Sequence, residues 1–155
     1  GASAAHLAVR HGHEEPCQFL LSQRADLKAP LDFGVTALQV ASERGHSKVL
    51  ALLLADFGAA DAAASAALAA RSDGRSAWLL AAAEGHGDCC RQLWEAAGAE
   101  GHSGLAAAVD RDGRGTMLLA AKGGHVEVCS WLLEAGASAA GLLEVDACGW
   151  TPLHA

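Results

Sequence analysis

The dipeptide Gly-His recurs along this 155-residue chain at intervals that limit what the chain can fold into. It stands at Gly12-His13, Gly45-His46, Gly85-His86 and Gly124-His125, separated by 33, 40 and 39 residues. A second glycine precedes each pair by eleven residues, at Gly1, Gly34, Gly74 and Gly113, and recurs at Gly149. Two glycine series locked at one offset mark a repeated supersecondary unit, not a single globular core. A fifth pair, Gly101-His102, falls outside the pattern.

The filling between the glycines repeats as well. The copies read GASAAHLAVRHGH, GVTALQVASERGH, GRSAWLLAAAEGH and GRGTMLLAAKGGH, and a last one starts GWTPLHA. Beyond each Gly-His, apolar residues return at helical spacing, as with Val128, Trp131 and Leu132 in GHVEVCSWLLEAGAS. That spacing gives an amphipathic helix with a glycine past its C-terminus. The pattern predicts first helices near 4–11, 37–44, 77–84 and 116–123, and second helices near 14–23, 47–56, 87–96 and 126–135.

In these motifs the sequence resembles the ankyrin repeat family. The residues that carry the resemblance are Thr151-Pro152-Leu153-His154, the four Gly-His pairs, and the closing pairs Gly58-Ala59, Gly98-Ala99 and Gly136-Ala137. The resemblance implies an all-α solenoid of stacked helix-turn-helix units joined by hairpin-like finger loops. It sets one ankyrin domain over 1–155, with repeats near 1–33, 34–73, 74–112 and 113–148 and a truncated fifth at 149–155. Both ends fall inside a repeat, which reads as a piece of a longer array.

The copies depart from the family pattern in places. Gly115 stands where the fourth first helix would have a capping hydroxyl, and Arg24 replaces a closing glycine. The two long intervals put insertions near 60–72 and 99–110. Both are rich in Ala, Gly and Ser and are expected as longer finger loops, with a short extra helix from Ala62 to Ala70.

Composition narrows the function classes. The net charge is −7, from 11 basic and 18 acidic residues. An acidic chain is poorly suited to nucleic-acid phosphates or anionic membrane surfaces. No apolar run approaches the roughly 20 residues that span a bilayer. Five cysteines with no CxxC pair argue against a disulfide framework or zinc ribbon, and fit a reducing, intracellular, cytoplasmic setting.

Catalytic and metal readings are weak. His86 and Cys90 share a helix face, but Cys17, Leu50, Cys90 and Cys129 fall at one repeat position, as core residues would. The histidines follow the repeat period and complete no tetrahedral zinc set. Asp110–Gly115 lacks the GxxxxGK[ST] of a phosphate loop and reads as a turn between repeats. Cys148, at an expected hairpin tip, reads as a turn residue. No enzyme activity and no cofactor are expected within these residues.

In ankyrin arrays, partners bind the concave face of hairpin tips and first helices. Carried over, that gives tip candidates Phe33, Val35, Arg75, Arg111, Arg114 and Trp150. First-helix candidates are Arg10, His11, Glu43, Arg44, Glu84 and Lys122. Aromatic and Arg residues are enriched in interface hot spots. The expected function is a non-enzymatic, monomeric module that binds a protein or peptide, with an acidic or mixed-charge segment preferred. The alternative is a structural spacer, or a regulatory segment of a larger protein whose catalytic domain lies outside this chain.

Overall fold

The computed structural model describes residues 4–23, 25–30, 34–137 and 149. Phe33, Trp150, Arg24, Cys148 and the Thr151–His154 motif lie outside the described residues. So do residues 138–148 and the expected fifth repeat, apart from Gly149.

Two layers of helices run along the chain. The first comprises α1 (Ala4–His11), α3 (Ala37–Glu43), α6 (Ala77–Ala83) and α8 (Thr116–Lys122), each packed on the next. The second comprises α2 (Glu14–Ser22), α4 (Ser47–Phe57), the start of α7 (Gly87–Ala106) and α9 (Val126–Glu134). Helix α5 (Ala60–Leu68) is an addition to this scheme. The core lies between the layers, and α6 is buried from Ala77 through Ala82.

Local chemistry accounts for the helix ends. Thr36 Oγ1 accepts the Gln39 N–H (3.2 Å) and Gln39 Oε1 accepts the Thr36 N–H (2.9 Å), a reciprocal cap on α3. Ser76 caps α6 through the Leu79 N–H. Helix α8 starts at Gly115 without a side-chain cap, as the missing hydroxyl predicts. At the other end, His46 N–H reaches back to Ala41 O (2.9 Å) and Gly45 N–H to Ser42 O (3.4 Å). This Schellman closure needs the left-handed φ of +70° that Gly45 supplies.

The insertions differ from expectation in two respects. The first contains a short helix, α5 (Ala60–Leu68), shifted two residues toward the N-terminus from the expected Ala62–Ala70. The second is not a loop: α7 breaks at Gly98 (φ 62°, ψ 177°) and resumes as helix to Ala106. A side chain at Gly98 would lie nearest Ala60, one at Gly101 nearest Ala97 and Ala64, and one at Gly104 nearest Leu68. Partners that advance together show that the inserted helices run parallel. The glycines let their backbones approach closely, and this contact offsets the low helix propensity of Gly. Isolated bridges Ala70–Ser76 and Val109–Gly115 then close two fingers, 70–76 and 109–115.

Candidate partner-binding face

The Gly-His pairs join neighbouring repeats. Nε2 of His46 donates to Arg10 O (3.2 Å), that of His86 to Glu43 O (3.1 Å) and that of His125 to Ala83 O (2.9 Å). A carbonyl only accepts, so each ring carries its proton on Nε2. These histidines register one first-helix terminus against the next repeat.

An aromatic cluster locks the central repeats. The Trp78 ring is fully buried and its Nε1–H donates to Thr116 Oγ1 at 2.7 Å. Trp94 and Trp131 pack on it at 5.8 and 6.2 Å between centroids. His102, from the off-pattern pair, stacks on Trp94 at 3.8 Å and donates Nε2–H to its carbonyl (3.0 Å). It thereby holds the inserted half of α7 against the first half.

The fingers form one electrostatic network. Arg111 N–H bonds Asp73 O across the two fingers (3.2 Å). The Asp110 side chain, only 1% exposed, accepts from Arg114 Nε (2.9 Å), Arg114 N–H (2.9 Å) and Asp112 N–H (2.9 Å), with Arg75 Nε 3.8 Å away. Arg71 bridges Asp73 (2.9 Å) and Glu43 (3.2 Å). Burial raises the Asp73 pKa, but the Arg75 N–H and the Arg71 and Arg75 guanidiniums together hold it below the usual carboxylate value.

This network sorts the candidate residues. Arg75 and Arg114 are half-buried and committed to Asp110, with Arg114 also on Asp112. Glu43 is half-buried and held by Arg71. Arg71 itself escaped sequence reading, because its partners lie in another finger position and another repeat. Arg10, Arg44, Arg111 and Lys122 are exposed and join no ion pair among the described residues. Glu84 and His11 are exposed, and Val35 is half-buried.

The two layers differ in charge. Helices α2, α4, α5, α7 and α9 carry nine carboxylates against two cations, Lys48 and Arg91. First helices, their closing residues and the two fingers carry seven cations against five carboxylates. Internal pairing removes three of those cations and four of those carboxylates. Four free cations then face one free carboxylate, Glu84.

The cysteines are not poised for chemistry. Burial, with the neighbouring Asp88 charge, pushes the Cys89 thiol up to about 11, and burial beside Cys89 pushes Cys90 up to about 12. Both are thiols at neutral pH, and His86 is engaged by Glu43 O. Among the described residues no His, Cys, Asp and Glu group could hold a metal ion, and no helix is long and apolar enough to cross a membrane.

The family model for ankyrin repeats, three copies, matches residues 5–104 and 59–140. The chain belongs to the ankyrin repeat family. Ankyrin repeats are generally protein–protein interaction modules and generally non-catalytic. No curated protein matches the chain.

Proposed function

We propose that this ankyrin segment is a non-enzymatic binding module whose first-helix and finger face takes an acidic segment of a protein partner. The observation that carries the reading is the excess of free cations on that face, Arg10, Arg44, Arg111 and Lys122 against Glu84. The opposite layer, with its nine carboxylates, repels the same ligand. Electrostatic complementarity of this kind sets specificity and association rate more than raw affinity. Phe33 and Trp150, which lie outside the described residues, join the proposed site as aromatic anchors read from the sequence alone. Free thiols, buried at Cys17, Cys89 and Cys90, suit a monomer in a reducing cytoplasm.

The test is capture from lysate by the chain and by a variant with Arg10, Arg44, Arg111 and Lys122 changed to Ala. A partner held by the first and released by the second supports the reading, as does release by rising salt. Equal capture by both refutes the face assignment. A spacer or regulatory segment of a larger protein would hold no partner through this face.

A further inference from the structure

A pocket of about 120 Å³ opens beside the first inserted helix. Leu27, Leu38 and Leu53, all buried, line it together with Ala66 and Ala69. Phe57, Lys28, Asp56 and Thr36 complete the lining.

The cavity arises from the insertion. Four residues before the bridging Ala70 stands Ala66, and four before the bridging Val109 stands Leu105, which is fully buried. The second inserted helix thus fills its core with a large side chain where the first presents a methyl. Interiors hold few voids larger than a water molecule. An apolar cavity of roughly 150 Å³ stays dry and takes benzene, so this volume matches one small ring.

The polar groups at the lining select against charge. The Lys28 ammonium is satisfied by the Asp56 carboxylate (3.0 Å) and the Asp56 carbonyl (2.9 Å), and lies over the Phe57 ring at 5.2 Å. It therefore asks for no anion. Lys28 and Asp56 side chains are 46% and 42% exposed, and so exposed a pair separates readily. Thr36 Oγ1 accepts the Gln39 N–H and keeps its own proton to donate.

We propose that this pocket binds a small uncharged aromatic molecule of one ring. The site shares no residue with the cationic face, so it stands or falls independently of the partner reading. The test is titration of the chain with fluorobenzene, followed by fluorine NMR and by thermal melting. The parent chain should show saturable line broadening and a rise in melting temperature. In Ala66→Leu, binding should weaken at least about tenfold, while the variant alone melts higher than the parent. Should Ala66→Leu fail to fold by circular dichroism, Ala69→Val takes its place with the same readout. Absence of saturable broadening in the parent overturns the proposal, as does equal binding by a folded filled-pocket variant.

Discussion

The imidazole of His86 occupies the volume that a side chain on Gly45 would need. A Cβ built at Gly45 meets His86 Nδ1 at 2.5 Å, in a backbone conformation of φ +70°. Gly45→Ala therefore strains the left-handed turn and displaces the ring that bonds Glu43 O. The expected cost is about 2 kcal/mol, from turn strain and one lost hydrogen bond. Denaturant unfolding of Gly45→Ala, His86→Ala and the double variant checks it. The two costs should be less than additive, because either change alone breaks the same contact.

The buried Trp78 Nε1–H donates to Thr116 Oγ1 at 2.7 Å. Thr116→Val keeps the shape and leaves a buried indole N–H unsatisfied. Stability should fall by about 1–3 kcal/mol, read by urea unfolding with Trp fluorescence.

Gly101 holds the inserted helices together by having no side chain. Its Cβ would lie 2.8 Å from that of Ala97 and 2.9 Å from that of Ala64. Gly101→Ala gains about 1 kcal/mol of helix propensity and meets an overpacking cost of about 1–3 kcal/mol. The net is a loss, which Ala64→Gly should partly restore. Thermal melting of the single and double variants distinguishes this from propensity alone.

Cys89 and Cys90 give the alkaline behaviour a sign. Their folded values of about 11 and about 12 lie above the unfolded value of about 8.5. The folded state binds the thiol protons more tightly, so this stability is complete below about pH 8.5. It is lost as pH rises toward the folded values. Melting temperature should hold between about pH 7 and 8 and decline above about pH 9. At pH 8 a thiol reagent should label both residues slowly in the native chain and rapidly in denaturant.

The repeat frame was legible because glycine and histidine at its turns answer to local geometry. Gly45 and Gly98 both need positive φ, which the sequence marks directly. The helix at 99–106 was not legible. Gly101 and Gly104 read as loop residues by propensity, and only contact with α5, some forty residues away in the chain, makes them helical. The charge of the face was partly legible. Arg75 looked free because its partner Asp110 belongs to the next finger, whereas Arg114 pairs with Asp110 within its own finger, four residues away. Arg10, Arg44, Arg111 and Lys122 are exposed.

Selection from a random-peptide display library against the chain tests the cationic face most directly. The account predicts peptides enriched in Asp and Glu. Their binding should weaken with salt and disappear when Arg10, Arg44, Arg111 and Lys122 are changed to Glu, yet survive Lys48→Glu with Arg91→Glu. Neutral or basic peptides, or acidic ones lost only through Lys48 and Arg91, would contradict it.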